Sequence, residues 1–373
     1  MKLVLSGGGT GGHVFPAIAL AKKWMEEGGK VFYLGGEKSL EERITAKEKI
    51  SFYSLPVRPL PRKINFELFS SGFSNFKAVL KARKILKEIN PDIVVGTGGY
   101  VSGATILAAR LLNIKTLIHE QNSVPGITNK ISAKFVDKIA VSYGQSKKYF
   151  NNKNKVFLTG NPVREEILEA SSEDAKRKFD FPENNDVLLV MGGSQGAASI
   201  NKLMLEIYNG LIEINNLNII HITGEKDHEN IKRKISTFDN LNEKLIISSF
   251  MDDIEDALAV ANLVISRAGA VSIAEITALG LPSILIPYPY ATNNHQEKNA
   301  RVLEESGAAI IYKDDKLNSD TVFNKIKELL NDKNKLSEMS NASKMIGKPE
   351  ALKYIYDLAH ELALQDSTLA KKE

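Results

Sequence analysis

The chain has 373 residues, of which 43% are hydrophobic and 25% charged, with no cysteine and a formal net charge of +4. At roughly 150 residues per domain this is about two domains, and the near-average composition excludes disordered, collagen-like and coiled-coil classes. Without cysteine there is no disulfide framework, thiolate metal site or cysteine nucleophile, and no apolar run approaches the ~18–20 residues of a membrane span.

Taken in chain order, short apolar strands alternate with helix-length segments. Residues 2–6 form a strand that runs into glycines, too short for a secretory signal core, and a helix is expected over 14–27. Further strands are expected at 30–34, 51–55, 92–95, 115–118 and 138–141, with helices over 75–89 and 102–112. Asn161, Pro162, Val163 and Arg164 break the pattern, after which it restarts with a strand at 186–191 and a helix over 198–212. Strands at 218–222, 245–247, 263–266 and 283–286 follow. Such alternation implies βαβ units and parallel sheets. The fold class is therefore α/β, two consecutive sheets with a boundary near residue 162. An amphipathic segment at 351–364 fits either domain, and the tail from 366 is expected to fray. Charge divides too: residues up to Arg164 carry a net +15 and the remainder −11. A basic half suits an anionic surface or ligand, or is a solvated lysine coat.

Three glycine turns stand out. Gly7 to Gly12, ahead of His13, satisfy G-x-G-x-x-G between the first strand and first helix, with Glu37 after the second strand, so a dinucleotide site is one reading. Gly192, Gly193, Ser194, Gln195 and Gly196 occupy the equivalent place in the second half, and Gly96, Thr97, Gly98, Gly99 and Tyr100 form a third turn. Tight βα turns need glycine sterically. Helix N-termini behind such turns also offer unpaired N–H groups to an anion. Glu275 lies in a helix after the segment Ser266, Arg267, Ala268 and Gly269, where a carboxylate can accept both hydroxyls of a ribose or simply be solvated. Asn293, Asn294, His295 and Gln296 can read sugar hydroxyls or cap a helix.

Six motifs in this order and spacing carry a resemblance: GGGTGGHVFPA at 7–17, GTGGYVSG at 96–103, HEQNSVPGITNK at 119–130, GNPVR at 160–164, MGGSQGA at 191–197 and SRAGAVSIAEITALGLPSILIPYP at 266–289. Over nearly its whole length the chain resembles the MurG family of glycosyltransferases, which add N-acetylglucosamine (GlcNAc) to undecaprenyl-linked muramyl-pentapeptide in peptidoglycan assembly. The resemblance implies a GT-B fold, two Rossmann-like domains whose parallel sheets face each other across a cleft. It implies an acceptor- and membrane-facing domain at 1–161, a UDP-sugar-binding domain at 162–345, and a C-terminal helix and tail at 346–373.

By matched position, the resemblance places Thr10, Gly11 and Gly12 at the donor sugar and diphosphate, and Asn122 and Arg164 at the sugar-phosphate. It gives Ser194 to phosphate, Met251 to uracil, Glu275 to ribose, Gln296 to the GlcNAc hydroxyls, and Gly98, Gly99 and Tyr100 to the acceptor diphosphate. His13 is the matched base for the muramyl C4 hydroxyl in an inverting transfer from UDP-GlcNAc, with His119 and Glu120 in reserve. No Asp-x-Asp marks a metal-bound diphosphate, so no metal and no cofactor beyond the donor substrate is expected. Expected partners are the lipid-linked acceptor, an anionic membrane surface and other cell-wall synthesis proteins, with no nucleic acid. The expected location is peripheral, on the cytoplasmic face of the bacterial plasma membrane.

A related transferase acting on diacylglycerol, a UDP-sugar epimerase and a dinucleotide-binding regulator are the competing readings. For the membrane, the segment 58–87 has Arg58, Arg62, Lys63, Lys77, Lys81, Arg83, Lys84 and Lys87 against one acid, Glu67, interleaved with Phe66, Phe69, Phe73, Phe76 and Leu80. An apolar wedge with a basic rim is an interfacial-anchor pattern, although Ser70, Ser71 and Gly72 are expected to interrupt its helix.

Overall fold

Leu3, Val4 and Leu5 are wholly buried in the first strand. A parallel strand covered by helices on both faces reads as an unbroken apolar run rather than an alternating one. The computed structural model describes residues 1–58, 66–193, 196–236 and 244–367, the side chains of 66–73, 366 and 367 excepted. The chain divides into two units, Met1–Pro162 with Glu350–Glu373, and Val163–Pro349.

The first unit is built on seven parallel strands: β1 (Lys2–Gly7), β2 (Lys30–Gly36), β3 (Ser51–Leu55), β4 (Ile93–Gly98), β5 (Lys115–Glu120), β6 (Lys138–Val141) and β7 (Val156–Leu158). Their order is β3-β2-β1-β4-β5-β6-β7, so the winding reverses between β1 and β4. At such a switch point the loops leaving two neighbouring strands diverge and open a crevice. The register slips after Ser6, pairing Gly7 with Gly98 where both glycine turns begin.

One face of this sheet carries the helix Gly11–Glu26 and, against it, the C-terminal helix Ala351–Ser367. Trp24 stands edge-on to Tyr356 at 5.4 Å, and Leu352, Ile355 and Leu358 join the cluster of Leu20 and Val31. The other face carries the helices Phe66–Ile89 and Gly99–Arg110. The first of these runs unbroken through Ser70, Ser71 and Gly72, contrary to expectation. A single glycine costs a helix only ~1 kcal/mol, and Ala78, Ala82 and Leu86 on its inner face are fully buried.

The second unit has six parallel strands, β8 (Asp186–Met191), β9 (Leu217–Ile222), β10 (Leu245–Ser248), β11 (Leu263–Ser266), β12 (Ser283–Leu285) and β13 (Ala309–Ile311), ordered β10-β9-β8-β11-β12-β13. Its winding reverses between β8 and β11. Val190, Ile265 and Ile284 in the strands pack with Ile200, Leu203 and Met204 of the helix Ala198–Ile212. The strands expected from sequence are all present. β7 and β13 were missed because three residues are too few for periodicity to register.

Candidate functional site

In the first unit the turns after β1 and β4 interlock. Gly8 N–H donates to Gly98 O (3.2 Å), Thr97 Oγ1–H donates to the His13 carbonyl (2.7 Å), and Tyr33 O–H donates to Gly7 O (2.7 Å). The half-buried His13 ring lies directly on Gly98, where a Cβ would come within 2.7 Å of Cδ2 and where φ is +116°. Only glycine meets both demands. His13 Nδ1 is 3.0 Å from Gly8 O. A carbonyl can only accept, so Nδ1 carries the proton and the neutral ring keeps its lone pair on Nε2.

Exposed Thr10 caps the helix Gly11–Glu26 without a side-chain bond, and the first turn holds no acid. The amides at Gly11 and Gly12 therefore face no competing carboxylate. Tyr100, 42% exposed, follows the second turn.

The loop after β5 is tied to the same place, because Gln121 Nε2 donates to Thr97 O (2.8 Å). Here the reserve bases are corrected. The Glu120 carboxylate, almost wholly buried, accepts from Asn122 N–H (2.9 Å), Gly126 N–H (3.1 Å) and Asn129 Nδ2 (2.8 Å). It closes a loop and has no room for a substrate proton. Buried His119 donates from Nε2 to Gly160 O (3.0 Å), and burial pushes its pKa down to about 4. It is a structural histidine. Half-buried Asn122 also directs its side-chain amide to Glu120 (3.3 Å).

In the second unit the remaining positions follow the neighbouring strands β8, β11 and β12 and, at the sheet edge, β10, with Arg164 ahead of β8. Gly193 (φ +80°) and Gly196 (φ +74°) shape the first; Ser194 between them lies outside the described residues. Glu275, in the helix Ala270–Ala278, is buried rather than solvated, and its carboxylate stands 3.9 Å from the Arg164 guanidinium. Burial raises its pKa to about 7; Arg164 opposes the rise and Glu255 adds to it. Gln296, at the start of the helix His295–Glu305, accepts from Tyr288 N–H (2.9 Å) through Oε1, which assigns the donor role to its amide nitrogen. Asn293 and Asn294 before it both hold positive φ, near +55°, a strained stretch of the kind found at ligand sites. Met251 is half-buried beyond β10, after a turn in which Ser248 Oγ–H donates to Phe250 O (2.5 Å).

Residues 3–141 match the glycosyltransferase family 28 N-terminal domain and residues 187–359 the family 28 C-terminal domain. The chain is 43% identical to a UDP-N-acetylglucosamine--N-acetylmuramyl-(pentapeptide) pyrophosphoryl-undecaprenol N-acetylglucosamine transferase of Halothermothrix orenii, over 97% of this chain and 99% of that protein. A protein of the same name from Bacillus pumilus is 39% identical over 97% and 99% of the two chains. The crystal structure of Acinetobacter baumannii MurG superposes with a TM-score of 0.76 at 29% identity, covering 96% of this chain and 99% of that one. The chain belongs to the MurG family, within glycosyltransferase family 28. A UDP-GlcNAc 2-epimerase from Neisseria meningitidis bound to UDP-GlcNAc, 14% identical with a TM-score of 0.68 over 97% of this chain and 100% of that one, shares the fold alone.

Within this MurG-family scaffold, the first unit gathers Thr10, Gly11, Gly12 and His13 with Gly98, Gly99 and Tyr100, and the second pairs Arg164 with Glu275. Sequence reasoning missed what holds them. Arg267, quoted only within a motif, is buried; it pairs with Asp314 and donates to Ser199 Oγ (2.9 Å) and Ile286 O (3.0 Å), tying together the segments after β8, β11, β12 and β13. Asp314 carries no local signal at all. Tyr33, beneath the first glycine turn, sat in what read as an ordinary strand, and Glu41 beside it lies in a helix that the sequence did not mark.

Proposed function

We propose that this chain transfers GlcNAc from UDP-GlcNAc, with inversion, to the C4 hydroxyl of muramyl-pentapeptide on undecaprenyl pyrophosphate. The observation that carries this reading is the near-full-length identity to transferases of that name. The C4 oxygen attacks C1 of GlcNAc as the bond from C1 to the diphosphate oxygen breaks and UDP departs. The hydroxyl proton passes to His13 Nε2, the ring nitrogen that the Gly8 bond leaves with its lone pair. Glycine-turn amides and the Arg164 guanidinium take the charge that builds on the leaving diphosphate. Ionised Glu275 accepts the ribose hydroxyls, Met251 meets uracil through its backbone, and the side-chain amide of Gln296 donates to the sugar. Thr10, Gly11, Gly12 and Asn122 serve the donor, and Gly98, Gly99 and Tyr100 the acceptor diphosphate.

We place the protein peripherally, at the cytoplasmic face of the membrane that holds its acceptor. No helix among the described residues is long and apolar enough to cross a membrane. Phe76 is 60% and Leu80 51% exposed on the helix Phe66–Ile89, beside exposed Lys81 and Lys84. Ile127 and Ile131 are exposed on the short helix Ile127–Ser132, which packs on Gly99–Arg110.

Purified protein incubated with UDP-GlcNAc and the lipid-linked muramyl-pentapeptide should form the disaccharide lipid. Epimerised free sugar, or transfer only to diacylglycerol, would replace this reading.

A further inference from the structure

Behind the turn that carries His13 lies a carboxylate that the mechanism above does not use. Glu41 is 2% exposed, in the first turn of the helix Leu40–Lys47, where a helix favours negative charge. Its seat is made of glycines. A Cβ on Gly8 would lie 2.3 Å from Oε1, and one on Gly35 would lie 2.7 Å from Cγ, so the acid rests directly on the backbone of the glycine turn and of β2. Oε1 accepts from Gly36 N–H (3.0 Å), while Oε2 is buried with no hydrogen-bond partner among the described residues. A buried, half-satisfied carboxylate is costly and calls for an explanation.

Its neighbours supply one. The residue it rests on, Gly8, is the one whose carbonyl holds His13 Nδ1. The adjoining Gly7 carbonyl is fixed by Tyr33 O–H, and Gly8 N–H is fixed by Gly98 O. A single residue of backbone, Gly8, thus touches both the buried acid and the half-buried imidazole, and charges that close in a partly desolvated turn interact more strongly than in bulk water. The Tyr33 phenol registers the same acid: burial first, and then the charge of Glu41, raises its pKa well above the ordinary value.

We propose that Glu41 is a positioning residue for His13: it seats Gly7 and Gly8, whose backbone orients the ring, and its charge favours the imidazolium formed when His13 takes the acceptor's proton. This rests on the reading of His13 as the base. The other titratable groups on the elements packed around the turn leave that coupling visible. His119, with a pKa near 4, and Tyr33 stay neutral between pH 5.5 and 9. Glu120 is held by its loop, Tyr100 is exposed, and Glu42 turns outward to Lys38 N–H.

The test is Glu41→Gln, which keeps an acceptor for Gly36 and removes the charge. The full chain, labelled with ¹³C-histidine, is titrated by NMR with the His13 signal assigned through H13A. The expected result is a His13 midpoint lower by about half to one pH unit. The acid limb of kcat should move down with it and kcat near pH 7.5 should fall about fivefold or more, with UDP affinity within twofold. Glu41→Asp should restore part of the midpoint. An unmoved midpoint overturns the proposal. So does a parallel loss of melting temperature, UDP affinity and kcat with the midpoint unmoved, since that describes packing alone. An H13A enzyme within threefold of wild type would overturn the base reading instead, and the NMR midpoint keeps the two failures apart.

Discussion

His13 Nδ1 lies 3.0 Å from the carbonyl oxygen of Gly8, five residues earlier in the same glycine turn. That bond fixes both ring orientation and tautomer, because the carbonyl cannot donate. His13→Ala should lower kcat by ~10²–10⁴-fold, the usual worth of a general base, with UDP affinity nearly kept. A variant within threefold of wild-type turnover would remove His13 from that role.

Glu275 ties donor affinity to pH. With its pKa raised to about 7, chiefly by burial, much of the free protein carries a neutral carboxyl there at pH 6. Ribose hydroxyls donate to the charged form, so UDP binding should strengthen as pH rises through 7 and release a proton. About five- to tenfold tighter binding at pH 8 than at pH 6 is expected. Glu275→Ala should weaken UDP binding by ~1.5–3 kcal/mol, shrink the preference over a deoxyribose analogue and flatten the pH dependence. Calorimetry in buffers of different ionisation heat reads both quantities. Wild-type affinity in the variant would leave Glu275 as a partner of Arg164 only.

The buried titratable groups also set opposing pH dependences of stability. Folding raises the Glu275 pKa from 4.5 to about 7, so its ionisation penalty is absent below 4.5 and fully present above 7. Unliganded Glu275→Gln should therefore melt higher than wild type at pH 8, by about 1–3 kcal/mol, and gain nothing at pH 4.5. His119 and His221 run the other way. Burial lowers them from 6.5 to about 4 and about 3, so their contribution is whole above 6.5 and is lost as pH falls towards those values. His221 is neutral, donating from Nε2 to Asn201 Oδ1 (3.0 Å) and accepting at Nδ1 from Tyr208 O–H (2.5 Å), so a second proton would force the Tyr208 hydroxyl to give up that bond. Each histidine should remove about 2 kcal/mol between pH 6.5 and 5. A denaturation midpoint flat over that range contradicts this.

On the helix Phe66–Ile89, reversing Lys77, Lys81 and Lys84 to Glu should reduce sedimentation with anionic vesicles at low salt. Each basic residue near such a surface contributes ~1 kcal/mol within a Debye length. Binding of soluble UDP-GlcNAc should be untouched. Equal sedimentation of mutant and wild type would mean that this face does not anchor the protein. Of the apolar residues in the expected anchor, the side chains of Phe66, Phe69 and Phe73 lie outside the described residues, as do Arg62 and Lys63.

Much of this was legible in the chain because its signals are local. Apolar runs between glycine turns mark buried parallel strands, and Pro162 beside Asn161 marks the break at which the second unit begins. The same locality explains the misreading of His119 and Glu120. They sit in the matched segment HEQN, and only the fold shows that Glu120 is claimed by Gly126 and Asn129 and that His119 is claimed by Gly160, 41 residues away.

By itself the sequence determined the α/β alternation, the glycine turns and the family motifs, since each depends on residues close along the chain. The tertiary structure decided which unit takes the helix Ala351–Ser367, because an apolar stripe demands a partner without naming one, and Trp24 with Tyr356 supplies it. It also decided that Arg267 meets Asp314 and that Glu41 lies under Gly8. Burial and charge pairing join residues far apart in the chain, and no local pattern encodes which of them will meet.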